Sequence, residues 1–144
     1  MSANDTGVDL DTSVGYLLKE ASSALRAAME EVLRPLGMTV THYSCLELLA
    51  QRPGLSNSEL ARGAFVTRQS MNVLLQTLER DGDVTRSAPV GKVLPTRLTP
   101  RGRRRLGQAS AAVRSVEDRM LAGLTADDRA AAARILRSMA RSLG

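Results

Sequence analysis

The chain of 144 residues has one cysteine, one histidine, no tryptophan and only 2% aromatic residues. A lone cysteine excludes an internal disulfide and a cysteine-built zinc site, and one histidine cannot anchor a metal cluster by itself. With so few aromatics, the core has to come from Leu, Val, Ala, Met and Ile, a composition that favours helices. No apolar run approaches the ~18 residues of a membrane span, and no signal-type leader opens the chain. A soluble, cytoplasmic protein without a membrane partner is expected. There is no glycine-rich phosphate loop and no acidic pair in a recognisable pocket motif. Catalytic roles therefore find no residues, and neither an enzyme nor a cofactor nor a metal is expected.

What is present is ordinary for one globular domain: 43% hydrophobic and 24% charged residues. Such a chain buries roughly two-thirds of its unfolded surface. The net charge is +5, and it is unevenly placed. Between Asn57 and Arg105 lie ten basic residues and four acidic ones. A concentrated positive charge points to nucleic acid or another anionic surface.

Along the chain, residues 1–10 form a flexible polar leader. From Ser13, Val14, Leu18, Ala21, Leu25, Ala28 and Val32 recur at steps of four and three, the seam of a helix that packs on a partner helix. Pro35 and Gly37 end it. Thr41 is the expected cap of a second helix to about Arg52, with Cys45, Leu48 and Leu49 inward. Ser56 and Glu59 make a capping box for a short third helix, and Thr67 caps a fourth. On that fourth helix Met71, Leu74, Leu75 and Leu78 form one apolar stripe, while its first turns are polar and lack an acid until Glu79. Gly82 closes it. "DVTRSA" and "LPTRLT" flank the turn-like "PVGK" and read as a hairpin, with Pro95 at an edge or bulge. Thr99 and Pro100 start a fifth helix, and Thr125 with Asp128 starts a sixth that is expected to bury Ala132, Ile135, Leu136, Met139 and Leu143.

Helix, short turn, polar-fronted helix and hairpin make a winged helix-turn-helix. The expected fold class is mainly α, an α+β winged helix with six helices and a two- to three-stranded wing. Residues 39–99 are the DNA-binding region; 11–38 and 100–144 are the helical dimerisation region. A helix of this kind enters the major groove of double-stranded DNA and presents its leading side chains to base edges. The candidates at the helix are Thr67, Arg68, Gln69, Ser70, Asn72, Val73 and Gln76. Ser56 and Asn57 precede it, and Arg86, Lys92, Arg97 and Arg101 are placed for phosphate or groove contact. Arg101, Arg103, Arg104 and Arg105 sit in the first turns of a helix, where cations oppose the macrodipole, so contact with phosphate or an acidic surface is expected to explain them.

With "LSNSELA", "TRQSMNVLLQTLERDGDVTR" and "RLTPRGRRRL" in view, the chain resembles the MarR family of bacterial transcription regulators, from about Val8 to Leu143. The resemblance implies an intertwined dimer, a homodimeric repressor on a palindromic operator, with the first and last helices interlocked. Its interface would involve Val14, Leu18, Leu25, Val113, Ile135 and Met139. It also implies release by a small phenolic or aromatic effector, for which Tyr16, Met38, His42, Tyr43 and Cys45 are the candidate pocket residues. Where the family's wing commonly carries Asp-x-Arg, this chain has Val90, Gly91 and Lys92, so a weaker minor-groove contact is expected. The peroxide-sensing branch keeps a cysteine near the start of the first helix; here Leu17 and Leu18 stand there. The alternative reading is a winged-helix interaction or nucleoid-type protein that binds without reading bases. A redox sensor using Cys45 ranks behind both.

Overall fold

A computed structural model describes residues 7–86 and 96–144. Among these residues six α-helices and two short strands follow one another: α1 (Val14–Leu33), α2 (Val40–Gln51), α3 (Asn57–Gly63), α4 (Arg68–Arg80), β1 (Val84–Arg86), β2 (Thr96–Leu98), α5 (Pro100–Met120) and α6 (Ala126–Leu143). A single 3-10 turn, Arg34–Leu36, links α1 to α2, and Gly37 leaves it at φ 71. β1 and β2 pair antiparallel, Val84 opposite Leu98, Thr85 opposite Arg97 and Arg86 opposite Thr96. The expected turn "PVGK" and the edge position of Pro95 lie outside the described residues.

The helix starts are set by hydroxyl caps. Ser13, Ser56, Thr67, Thr99 and Thr125 each accept a backbone N–H from the first turn that follows. One expectation fails here. α2 is capped by Thr39, not Thr41, and His42 completes the box by accepting the Thr39 N–H on Nδ1 at 3.3 Å. The helix therefore begins two residues earlier, and Leu46 joins Cys45 and Leu49 as its buried face, with Leu48 only partly buried.

The core gathers the inner faces of α2, α3, α4 and α5 around Leu46, Leu60, Met71, Leu75 and Leu78, with Leu33 closing it from the end of α1. These are the residues that hold α4 in place. α6 is different. None of its residues is buried, and Ile135 and Leu136 stay 48% and 47% exposed. The expected burial of Ala132, Ile135, Leu136, Met139 and Leu143 is thus absent within one chain. An amphipathic helix with an open apolar face has no reason to hold its position in water unless something covers it.

Candidate nucleic-acid interface

α4 has two faces. Met71, Leu74, Leu75 and Leu78 are buried. At 100° per residue, Gln69, Asn72, Val73, Gln76 and Arg80 lie on the opposite side. Gln69, Gln76 and Arg80 are exposed, Asn72 is half-buried, and Val73 is a lone apolar residue exposed among them. Core packing thus turns one row of hydrogen-bonding side chains outward.

The start of α4 is tightly built. Thr67 Oγ1 accepts the Ser70 N–H at 3.0 Å and donates to Ser70 Oγ at 2.9 Å. Arg68 Nε donates to Ser58 Oγ at 3.0 Å, and Asn57 Nδ2 donates to Asn72 Oδ1 at 2.8 Å. Ser56 accepts from the Glu59 N–H. Thr67 and Ser56 therefore serve first as caps, with their oxygens already engaged. Ser58 was not among the expected residues. No spacing in the sequence signals it, since Ser58 and Arg68 share an edge only when α3 and α4 cross.

The other expected contacts divide. Arg97 is exposed at the centre of β2, beside exposed Thr85 on the paired strand. Lys92 lies outside the described residues. Arg86 is only half exposed, and its Nε and Nη2 are buried without an acceptor among the described residues, which does not suit a free phosphate arm. The arginine run at the start of α5 also needs correction. Arg105 Nη1 pairs with Asp83 Oδ2, and Arg105 Nη2 donates to the Leu36 carbonyl at 3.0 Å. Arg101 Nε lies 3.4 Å from Asp83 Oδ1. A fully buried carboxylate explains both arginines in part, so charge placement alone overstated the basic surface. Arg101 keeps more than half of its side chain exposed and can still turn a guanidinium edge outward.

Of the expected effector residues, Met38, Tyr43 and Cys45 meet in or against one core, and none of the five lines the cleft beside α1. Met38 and Cys45 are core residues, Tyr43 packs against the core and donates to Glu47 at 2.7 Å, His42 is part of a cap, and Tyr16 is exposed on the early turns of α1. Burial pushes the Cys45 thiol up to about 12. Tyr43 is pushed up to about 12 as well, by burial and then by its bond to Glu47. A cleft of about 460 Å³ does exist between the dimerisation helix and the reading unit. It is lined by Leu25 and Met29 of α1, Val40 and Ser44 of α2, and Phe65 and Val66 of the α3–α4 turn. Val40 and Ser44 of α2 line this cleft, whereas Cys45 keeps the inward place expected of it.

The expected dimer residues divide as well. Val14, Leu17 and Leu18 of α1 face Ile135, Leu136 and Met139 of α6 across an apolar groove of about 330 Å³. Leu25, by contrast, lies beside Val116 and Met120 of this chain's own α5, and Val113 packs against its own core. The heptad-like stripe of α1 is two surfaces: an open one near its start and an internal one near its end.

Among the described residues no helix is long and apolar enough to cross a membrane, and no three metal-ligating side chains converge. A family model described as MarR family matches residues 36–92. The HTH-type transcriptional repressor Rv2887 of Mycobacterium tuberculosis is 47% identical over 122 residues, 83% of this chain and 88% of that protein. A crystal structure of Mycobacterium tuberculosis MarR family protein Rv2887 in complex with p-aminosalicylic acid has 43% identity and a TM-score of 0.76, covering 90% of this chain and 99% of that one. The crystal structure of the same protein in complex with DNA has 41% identity and a TM-score of 0.73, covering 90% and 98%.

Proposed function

The chain belongs to the MarR family, and from that premise we propose that it is a homodimeric, sequence-specific repressor of transcription acting on double-stranded DNA in the cytoplasm. The observation that carries this reading is the outward row Gln69, Asn72, Val73 and Gln76, directly opposite the buried leucine stripe of α4. Gln and Asn suit the N6 and N7 groups of adenine, Arg68 suits O6 and N7 of guanine, and Val73 suits a thymine methyl. Arg97 and Arg101 supply positive charge for phosphates beside the groove. Two copies of α4, one per protomer, meet half-sites about one DNA turn, ~34 Å, apart.

Selection of bound duplexes from random DNA tests the reading. A palindromic motif is expected. Gln69→Ala should lower discrimination between that motif and random DNA by about 1–3 kcal/mol. Arg97→Ala should weaken both alike and flatten the salt dependence by about one. If the wild-type protein selects no motif yet binds in a salt-dependent manner, the protein is a backbone binder of nucleoid type and the repressor reading fails.

The effector is a small aromatic or phenolic compound seated in the cleft between α1, α2 and the α3–α4 turn. Supporting this are the cleft's size, the exposed Phe65 ring at its rim and the relative's complex with p-aminosalicylic acid. Titration of a labelled operator complex with p-aminosalicylic acid checks it: release is expected, and Phe65→Ala should raise the concentration needed.

A further inference from the structure

Two hydrogen bonds join the reading face of α4 to the first turn of α3: Arg68 Nε to Ser58 Oγ and Asn57 Nδ2 to Asn72 Oδ1. Neither is needed by α3 itself. Its N-terminus is already closed by Ser56 and Glu59, each bonding the other's backbone N–H. The side chains at 57 and 58 are thus spent on α4 alone.

Their effect falls on two side chains with different chemistry. Arg68 is long and flexible. Held at Nε, its guanidinium keeps both Nη groups for a partner, and those two groups form the fork that matches the paired acceptors of guanine. Asn72 is short, but its terminal amide turns over a broad range. Bonded to Asn57, it is confined to orientations that keep one amide edge on α3. Side chains ordered before binding lose less freedom on binding, and a misdirected one loses the geometry that distinguishes bases.

Resting on the base-reading role proposed above, we propose that Ser58 and Asn57 are positioning residues for specificity: Ser58 aims Arg68, Asn57 aims Asn72, and through them α3 sets which base pairs α4 prefers. Each positioning residue governs one reader and hence its own position in the operator.

Selection from random duplexes with five variants beside the full wild-type chain tests this. Arg68→Ala and Asn72→Ala define the operator positions each reader governs. Ser58→Ala should relax the Arg68 position, and Asn57→Ala the Asn72 position, by about fivefold each, the worth of one ordinary hydrogen bond. Ser58→Thr keeps an acceptor oxygen and should restore the wild-type preference. The slope of affinity against salt should not change in the Ser58 and Asn57 variants, because no phosphate contact is removed. If Ser58→Ala and Asn57→Ala leave those positions unchanged, or weaken every duplex equally, the positioning role is wrong while base reading by Arg68 and Asn72 stands. If Arg68→Ala and Asn72→Ala relax no position, base reading by those residues fails, and the positioning role with it.

Discussion

Asp83 is the residue whose role changes most between chain and fold. In the chain it is one acid among ten cations. In the fold it is buried, flanked by Arg101 and Arg105, at the place where α4 ends and β1 begins. Its backbone N–H reaches the Leu78 carbonyl and its carbonyl accepts the Thr99 N–H, so one residue joins the end of the reading helix to the start of α5. Arg105 extends the link to the Leu36 carbonyl in the α1–α2 turn. Asp83→Ala strands Arg105 and should cost about 3 kcal/mol in urea denaturation. Gly102 packs against the same point; a Cβ there would lie 2.0 Å from the Asp83 oxygen, so Gly102→Ala should lose at least about 2 kcal/mol. His42 offers a pH test. Burial, and then Arg105, hold its pKa below the usual 6.5. In the window beneath 6.5 the unfolded chain binds more protons, so stability is fully present above that pH and falls as pH drops through the window. Denaturation at about pH 7.5 and 5.5 should show the loss, and His42→Gln should remove it; Glu47 and Glu59, whose pKa values are also lowered, contribute only at more acidic pH. Cys45 should resist thiol reagents in the native state and react at the rate of unfolding, as burial predicts.

At the level of elements, most boundaries could be read because they are local. Ser56, Thr67, Thr99 and Thr125 cap their helices through bonds spanning three residues, which spacing alone reveals. The α2 start is not legible in the chain because two threonines stand two residues apart and the box is completed by a histidine in place of the usual Glu or Gln. The α3–α4 turn holds a second surprise. Phe65 N–H bonds the Arg62 carbonyl and Val66 N–H the Ala61 carbonyl, a Schellman closure whose left-handed residue, φ 59, is normally glycine. Phe65 is also 94% exposed, so its ring contributes no core packing in the single chain. Strain without burial marks a residue kept for contact with something else. Phe65→Gly should leave stability unchanged or higher by up to about 1 kcal/mol in a chemical melt, since it relieves the strained φ at the cost of a freer unfolded chain. Thr67→Ala, two residues on, should lose about 1 kcal/mol with the cap.

For the whole molecule, the open groove between the start of α1 and α6 is the main clue to assembly. The core built from α2 to α5 does not depend on α6, so disrupting the groove should separate protomers without unfolding them. Leu18→Asp or Ile135→Asp should convert the dimer to a folded monomer in sedimentation equilibrium, with an unchanged circular dichroism spectrum and a large loss of operator affinity. Leu25→Asp is a poorer test, because Leu25 faces this chain's own α5 and its loss would disturb the subunit first.

Helix order, every cap but that of α2, the leucine stripe of α4 and its polar front follow from spacing of three and four residues and from side chains acting within one turn; the sequence alone determined these, and with them the winged helix-turn-helix. Which arginines are open to DNA, which residues line the cleft, and that Ser58 and Asn57 brace α4 were decided only by tertiary structure. Each depends on residues distant in the chain meeting at a helix crossing, as Asp83 meets Arg105 and Ser58 meets Arg68. A one-dimensional pattern carries the periodicity of each helix but not the angle at which two helices cross.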